Sequence, residues 1–275
     1  MQMKKLIKAL SKVVFPKYGH YTPLIVKNRI KKLLVKLPKH QFLFILSPPY
    51  CGSTILSEII ASSPHVSTNN PFGTREGQTL PTVRKIMFHD KRWDAKVDYE
   101  WNFIQREWMK YWDLSKAILL EKSPSNLFRA KSIEQSFAPV SFIIFYRNPY
   151  AQCESLIRRD ERAAADAAKI AISCLENQKK NIENLKNSIH FSYEDLVAQP
   201  NEIKQKILAF YPDLGEIKIN QKFLSHNLLN QKISLQNLNQ KKIKLLNKNQ
   251  LEAINHIFRA KVELLNYFNY ELVEG

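Results

Sequence analysis

The chain has 275 residues, of which 44% are hydrophobic, so it is long enough to bury a substantial core within one large domain. Its formal net charge of +17 attracts polyanions in general. It has no arginine-glycine repeats, zinc-finger spacing or helix-turn-helix pattern, so we expect no nucleic-acid partner. Its three cysteines, Cys51, Cys153 and Cys174, have no metal-ligand spacing and cannot all pair. They argue against a zinc site and a disulfide framework and favour a reducing, cytoplasmic location.

Residues 1–41 are a basic N-terminal segment, and residues 1–57 contain eleven Lys or Arg and no Asp or Glu. Near the start, apolar residues fall on one side of a predicted helix and lysines largely on the rest, as in Leu6, Leu10 and Val13 against Lys4, Lys5, Lys8 and Lys12. This pattern is typical of a helix that lies in a membrane interface, where it would hold the protein peripherally on an anionic surface. A solvated helix packed on the domain is the alternative. The interrupting lysines exclude a transmembrane anchor and argue against a secretory signal.

After this segment, short apolar runs alternate with amphipathic helical patterns. The predicted strands are 42–46, 117–120, 141–146 and 189–192. The predicted helices are 54–62, 126–137, 150–159, 163–187, 202–210 and 250–268. This βα order predicts an α/β fold, an open parallel sheet with helices on both faces, which binds ligands at the carboxyl ends of its strands.

Two other segments interrupt the alternation. Residues 71–115 are an insertion that we expect to be partly helical and whose aromatic residues suit core packing better than a ligand platform, namely Trp93, Trp101, Trp108, Tyr111 and Trp112. Residues 220–250 are crowded with Asn, Gln and Lys, which predicts a mobile loop or a segment that closes over a cofactor.

The most informative motif joins the first strand to the first helix, at residues 47–54 (SPPYCGST). The free N–H groups at a helix start, together with the positive end of the helix dipole, favour an oxyanion such as phosphate. A Walker A loop requires a lysine after its last glycine, but Ser53 follows Gly52, and Ser47 stands where the first glycine belongs. A P-loop kinase or nucleotide triphosphatase is therefore disfavoured.

A second motif follows the strand at residues 141–146. Arg147 stands at the strand end, Pro149 starts a helix, and Ser155 lies two turns into it. A guanidinium and a hydroxyl placed in this way can share one dianionic phosphate. The two motifs together resemble the paired signature of sulfotransferases that use 3′-phosphoadenosine 5′-phosphosulfate (PAPS).

That resemblance implies a role for each motif. The first loop would hold the 5′-phosphosulfate, through the consecutive residues Tyr50, Cys51, Gly52, Ser53 and Thr54. Arg147 and Ser155 would hold the 3′-phosphate. The family needs no metal for this chemistry, and we expect none here. Cys51 could alternatively act as a nucleophile, because a helix start lowers a thiol pKa, but a small loop residue is the plainer interpretation.

Three further segments extend the resemblance over residues 42–270. ILLEKSPSN (118–126) resembles the Glu-Lys-(Ser/Thr)-Pro segment of the glycan-modifying branch. FSYEDLVAQP (191–200) resembles the Tyr-Glu-Asp-Leu segment, which implies that Tyr193 lies near the nucleotide base. VSTNNPFGTREGQ (66–78) resembles the acceptor-side stretch of protein-tyrosine and bacterial members.

These matches imply a sulfotransferase domain over residues 42–275 with an acceptor-side insertion at about 71–115. The acceptor would be a hydroxyl on a glycan, a lipid-linked glycan or a peptide. The polar segment also contains four lysines, which we expect to form a solvated face: Lys241, Lys242, Lys244 and Lys248. Alternatively, one of these lysines closes over the nucleotide.

One residue departs from the family pattern. Sulfotransferases usually carry Lys or Arg two residues before the loop glycine, and this chain has Tyr50. Lys122, after a strand whose end should lie beside the loop, is the expected substitute. If it does not substitute, the protein would be a catalytically weakened module that binds polyanions or membranes.

The general base has two candidates. Related enzymes place a catalytic glutamate soon after the first helix, which favours Glu76. His89 is the alternative, because an imidazole serves as base in the small-molecule branch. His65 and His226 are expected to be structural, although His226 could touch the cofactor.

Overall fold

A computed structural model describes residues 16–225 and 231–274 of the chain. The expected amphipathic helix near residues 4–14 and His226 lie outside the described residues. The helices of the described part are α1 (Thr22–Leu34), α2 (Ser53–Ala61), α3 (Arg84–Met87), α4 (Trp101–Trp108), α5 (Ala130–Ser136), α6 (Pro149–Asp160), α7 (Ala164–Asn184), α8 (Tyr193–Ala198), α9 (Pro200–Phe210), α10 (Asn239–Ile243), α11 (Lys248–Arg259) and α12 (Val262–Tyr267). The strands are β1 (Gln41–Leu46), β2 (Val66–Thr68), β3 (Ile118–Glu121), β4 (Val140–Tyr146), β5 (Ser188–Ser192), β6 (Phe223–Ser225) and β7 (Gln231–Ile233).

Five strands form a parallel sheet in the order β2-β3-β1-β4-β5, with β1 at its centre. Phe44 of β1 lies opposite Glu121 of β3 on one side and Phe142 of β4 on the other. Central parallel strands are buried on both faces, which is why β1, β3 and β4 are near-continuous apolar runs. The prediction of an α/β fold with an open parallel sheet is confirmed. Strand β2 was missed because three residues at a sheet edge give too little periodicity.

The two faces of the sheet bury different side chains. One face packs an aromatic cluster around Phe44, Trp108, Trp112 and Phe137, and the other packs aliphatic side chains of β1 and α2. Trp108 Nε1 donates to the Gly77 carbonyl at 3.2 Å, and Trp112 Nε1 donates to a β3 carbonyl at 3.0 Å. The predicted core role of the insertion's aromatic residues is therefore confirmed, with its indole N–H groups satisfied as burial requires.

Three predicted segments differ from the structure. The helix predicted over 126–137 is α-helical only in α5 and is preceded by a 3₁₀ helix at Pro124–Arg129. The helix predicted over 250–268 is α11 and α12, separated at Ala260 and Lys261, where Lys261 has a non-helical φ of −134° and ψ of 27°. Within residues 220–250, the described part contains the antiparallel pair β6 and β7 and the helix α10, which packs against α6. Asparagine and glutamine runs carry weak periodicity, so neither feature was visible in the sequence.

A buried glutamine fixes the sheet edge where both phosphate motifs begin. Gln178 of α7 donates through Nε2 to the carbonyls of Leu46, at 2.8 Å, and Phe145, at 3.0 Å. These carbonyls lie at the carboxyl ends of β1 and β4, so one side chain ties the two ends together. Over residues 16–225 and 231–274, no helix combines the length and apolar character needed to cross a membrane.

Candidate active site

The loop after β1 has a backbone shaped around two left-handed residues. Tyr50 has a φ of +64° and Gly52 a φ of +87°. The Gly52 carbonyl accepts from the N–H groups of Ile55, at 3.0 Å, and Leu56, at 3.3 Å, as α2 begins. The N–H groups of Ser53 and Thr54 precede these first helical bonds, so they face the loop with the positive helix end behind them.

Gly52 also lies against a tyrosine ring. A Cβ atom at this position would come within 2.9 Å of Cδ2 of Tyr193. Tyr193 is buried, and its hydroxyl donates to the Gln236 carbonyl at 2.5 Å. The ring therefore sets how closely the loop backbone packs, and a side chain at position 52 would displace one or the other.

The Tyr50 side chain turns away from the loop toward the end of α6. Its hydroxyl donates to the Asp160 carboxylate, and the Arg159 guanidinium lies 5.3 Å from the centre of its ring. Burial, followed by the hydrogen bond to Asp160, raises the Tyr50 pKa far above its ordinary value. Tyr50 is thus a neutral phenol that cannot replace a cation at this position.

Lys122 brings a buried cation to the loop. The residue is 2% exposed, and its Nζ lies 3.3 Å from Thr54 Oγ1, 2.8 Å from the Thr74 carbonyl and 3.5 Å from Glu76 Oε1. It follows β3, which pairs with β1, so parallel strand ends place it beside the loop. Three residues that the sequence selected separately, Thr54, Glu76 and Lys122, therefore meet at one point.

A network that the sequence did not reveal orients the Glu76 carboxylate. Gln78 Nε2 donates to Glu76 Oε2 at 2.6 Å, and Ser125 Oγ donates to Gln78 Oε1 at 2.8 Å. With Lys122 beside Oε1, both carboxylate oxygens have a donor. Gln78 and Ser125 are buried and lie within the two segments that the sequence analysis selected, 66–78 and 118–126, but nothing in one sequence shows that they meet.

The backbone around Glu76 is held by a buried acid. Glu121 Oε2 accepts from the Gly77 N–H at 3.1 Å, and Ser123 Oγ accepts from the Gln78 N–H at 3.0 Å. Burial raises the Glu121 pKa to about 7, despite its hydrogen bond from Ser123. The Glu-Lys-Ser segment therefore has two roles. Lys122 lies at the loop, and its two neighbours hold the backbone next to Glu76.

The second motif builds a cationic pocket around Arg147. This residue is 4% exposed, and its guanidinium lies 4.1 Å from the centre of the Tyr193 ring. Its Nε donates to Asn239 Oδ1 at 2.7 Å, and its Nη1 donates to the Tyr50 carbonyl at 3.0 Å. Its Nη2 is buried and has no partner among the described residues. Arg147 therefore links the first loop to α10.

Ser155 lies in the same pocket and meets a lysine from α10. It is fully buried, and its hydroxyl lies 3.1 Å from both the Ala151 carbonyl and Glu154 Oε2. The Lys242 ammonium donates to the Ser155 hydroxyl and lies 3.7 Å from Glu154 Oε2. Burial, and then the charge of Arg147, lower the Lys242 pKa to about 8. Of the four lysines expected to form a solvated face, Lys242 is the one that turns inward.

The remaining candidates stand apart from these clusters. His89 is half-buried, with its ring 6.2 Å from that of Tyr99, and its described contacts include neither Glu76 nor Lys122. His65 is exposed, and its carbonyl accepts from the Ile118 N–H at 3.0 Å. Cys51 is fully buried, which raises its pKa well above the ordinary value, so it is a thiol rather than a thiolate.

An arginine of the insertion borders Glu76. The Arg92 guanidinium lies 4.4 Å from the centre of the Phe88 ring and 4.9 Å from that of Trp93, and its Nη1 donates to the His89 carbonyl at 2.9 Å. Burial lowers its pKa, and the charge of Glu76 opposes that shift most strongly among its neighbours. Arg92 therefore lies within electrostatic range of the Glu76 carboxylate.

Comparisons with known proteins agree with this fold. The model of the sulfotransferase family matches residues 43–212, more than half of the chain. A sulfotransferase domain from the Synechococcus PCC 7002 olefin synthase superposes with a TM-score of 0.56 at 20% identity, covering 86% of this chain and 98% of its own. A sulfotransferase from Alicyclobacillus acidocaldarius gives 0.53 at 13% identity, covering 86% and 98%.

A third solved structure, a sulfotransferase from Mycobacterium avium, gives a TM-score of 0.52 at 14% identity, covering 93% of this chain and 84% of its own. A comparison with curated proteins finds no match. At these identities the solved structures establish the fold, and the family model establishes membership. The chain belongs to the sulfotransferase family.

Proposed function

We propose that this protein transfers the sulfuryl group of PAPS to an acceptor hydroxyl. The observation that carries the proposal is the meeting of three elements at the end of the sheet. The buried cation of Lys122 contacts both Thr54 of the anion-binding loop and the oriented carboxylate of Glu76. In-line transfer to a hydroxyl needs these three groups and little else from the protein.

The second pocket fits the 3′-phosphate that distinguishes PAPS from other nucleotides. Arg147 offers a buried Nη2 that has no partner within the described part of the chain. Lys242 lies within electrostatic range of Arg147 and donates to the Ser155 hydroxyl. Arginine with a hydroxyl and an ammonium is a suitable donor set for a dianionic phosphate. Asn239 and the Tyr50 carbonyl already hold two of the guanidinium nitrogens, so the remaining one is oriented before the ligand arrives.

PAPS supplies the activated sulfuryl group, and we assign the remaining steps to residues of the chain. The acceptor oxygen attacks sulfur, its proton passes to the Glu76 carboxylate, and the sulfur–oxygen bond to the phosphate breaks. Lys122 stabilises the negative charge left on that phosphate, which is the role that the family gives to the cation missing at Tyr50. Gln78 keeps Glu76 oriented for the proton transfer.

We further propose that the acceptor carries a negative charge beside its hydroxyl. Arg92 belongs to the acceptor-side insertion, its guanidinium packs on the Phe88 and Trp93 rings, and its buried Nε has no partner among the described residues. The charge of Glu76 acts on it. A guanidinium in this position favours a carboxylate, sulfate or phosphate group on the acceptor. A uronate-containing glycan, a lipid-linked phosphoglycan or an acidic peptide meets this requirement.

A second reading, a catalytically weakened polyanion-binding module, is supported by the neutral Tyr50 side chain. Calorimetry with 3′-phosphoadenosine 5′-phosphate in magnesium-free buffer tests donor binding. A screen of labelled PAPS against glycans, lipids and tyrosine peptides tests turnover. Binding with turnover supports the enzyme, binding without turnover supports the weakened module, and failure to bind refutes both uses of the pocket.

A matched pair of ligands sharpens the donor experiment. Arg147→Lys and Ser155→Ala should each lower the affinity for 3′-phosphoadenosine 5′-phosphate by roughly tenfold or more, since hydrogen bonds to charged groups contribute about 1.5–3 kcal/mol. Adenosine 5′-phosphate lacks the 3′-phosphate and should bind both variants and the unaltered protein equally. Equal losses for both ligands would contradict the assignment of this pocket to the 3′-phosphate.

A further inference from the structure

The outer side of α1 carries an apolar ridge that the domain does not cover. The ridge consists of Ile30, Leu33 and Leu34 with the next residue, Val35, and these side chains are 50%, 85%, 77% and 43% exposed. Leu33 and Leu34 are the most exposed large apolar residues of the described chain. Ile30, Leu33 and Leu34 are spaced three and four residues apart, so they lie on one helix face.

Contacts on the opposite side hold the ridge in this orientation. Ile25 is fully buried, Asn28 Nδ2 donates to the Tyr111 carbonyl at 2.8 Å, and Lys31 forms an ion pair with Asp113. These inward positions also repeat every three residues, so α1 cannot rotate to bury the ridge without breaking them. The helix is therefore a fixed element with one face on the protein and one on the outside.

Positive charge surrounds the ridge. The exposed residues Lys27, Lys32, Lys36 and Lys39 lie on α1 or just after it. No acidic residue occurs in residues 1–57, and Asp113, which pairs with Lys31, is on the inner side of α1. An exposed apolar face among unopposed lysines complements a surface that is apolar below and negatively charged above.

We propose that the apolar ridge and its flanking lysines dock the protein on an anionic lipid bilayer. The leucines enter the boundary between headgroups and acyl chains, and the lysines contact the anionic headgroups. Lysine stems are long enough to keep their charges at the headgroups while the leucines are immersed. This docking is independent of the proposed transfer reaction, and it uses α1 rather than the segment at residues 4–14.

The test is sedimentation of the full chain with vesicles of phosphatidylcholine alone or mixed equally with phosphatidylglycerol. The unaltered protein should bind the mixed vesicles, and added salt should weaken binding. The double variant Leu33→Ser/Leu34→Ser should bind on the order of tenfold more weakly. Lys32→Gln and Lys36→Gln should each lower the affinity for the mixed vesicles by about fivefold. The matched controls are Leu245→Ser, at a leucine 60% exposed elsewhere, and Lys169→Gln, and both should bind normally.

Three results would overturn the proposal. The first is no binding of the unaltered protein to mixed vesicles. The second is full binding by the ridge variants together with loss of binding in Leu6→Ser/Leu10→Ser, which would assign docking to the N-terminal segment. The third is self-association that Leu33→Ser/Leu34→Ser abolishes without changing vesicle binding, because the ridge would then be covered by a second copy. Since all substituted α1 side chains are exposed, thermal melting should show that the variants stay folded.

Discussion

Lys122→Met is the substitution that most directly tests the proposed chemistry. Methionine keeps an unbranched stem in a site that is 2% exposed and removes only the ammonium. That ammonium lies 3.3 Å from the loop hydroxyl of Thr54 and 3.5 Å from Glu76. Removing one donor aimed at charge that develops in a transition state costs about 3–4 kcal/mol, so we expect kcat to fall roughly 10²–10³-fold.

The same change should affect donor binding far less. In the ground state the phosphosulfate would keep the N–H groups of the loop, and the 3′-phosphate would keep Arg147, Ser155 and Lys242. Affinity for 3′-phosphoadenosine 5′-phosphate, measured by calorimetry, should therefore fall by about tenfold or less. Loss of the bond to the Thr74 carbonyl, at 2.8 Å, will also cost stability, so thermal melting must accompany the kinetics.

Lys131→Met provides the matched control, because Lys131 is an exposed lysine whose ion pair with Glu134 lies on α5. It should leave kcat, affinity and melting temperature essentially unchanged. An unchanged kcat in Lys122→Met, with PAPS as donor, would remove Lys122 from the mechanism. A loss of affinity as large as the loss of kcat would make Lys122 a binding residue instead.

Three further predictions concern the base, the loop and the phosphate pocket. Glu76→Gln should lower kcat by about 10²-fold or more, whereas His89→Asn should leave kcat unchanged. Gly52→Ala should weaken the binding of 3′-phosphoadenosine 5′-phosphate and lower the melting temperature, because the new Cβ would lie 2.9 Å from the Tyr193 ring. Gly73→Ala is the control, because Gly73 also has a positive φ but has open space around it. With a Lys242 pKa of about 8 in the free protein, calorimetric affinity should be full below pH 8 and fall above it. Lys242→Met should show a lower affinity without that decline.

Each of these predictions has a specific contrary result. Loss of turnover in His89→Asn with normal Glu76→Gln would exchange the two roles. Equal effects at Gly52 and Gly73 would show that the positive φ, not the tyrosine contact, matters. A decline above pH 8 that persists in Lys242→Met would assign the titration to another group.

The sheet could be predicted because its central strands are buried on both faces. No end of β1, β3 or β4 differs from its predicted limit by more than one residue. The failures occurred where the burial pattern is weak. β2 has three residues, and α11 and α12 share one amphipathic pattern that a local backbone change at Lys261 divides.

The site residues that could be predicted are those that come directly after strands of the sheet. Lys122, Arg147 and the loop come directly after β3, β4 and β1, and adjacent parallel strands end at one edge. Residues that reach the site from elsewhere gave no such signal. Lys242 comes from a helix far along the chain, within a segment where many similar lysines are exposed, so only the packing of α10 on α6 distinguishes it.

The cost of burying charge gives a physical reason to expect a polyanionic ligand. Lys122 and Arg147 are buried cations, and Lys242 is a partly buried one with a side chain 12% exposed. Only the two lysines have carboxylates close by, Glu76 and Glu154. Arg147 forms no salt bridge among the described residues; an amide, a carbonyl and a ring surround it.

A buried guanidinium without an opposite charge beside it destabilises the ligand-free protein, and a bound anion removes that cost. Donor binding should therefore stabilise the protein, by about 2.7 kcal/mol at a ligand concentration one hundred times Kd. Since Tyr50 contributes no charge to this balance, we propose that these three cations carry the electrostatic role that the family otherwise shares with its loop cation.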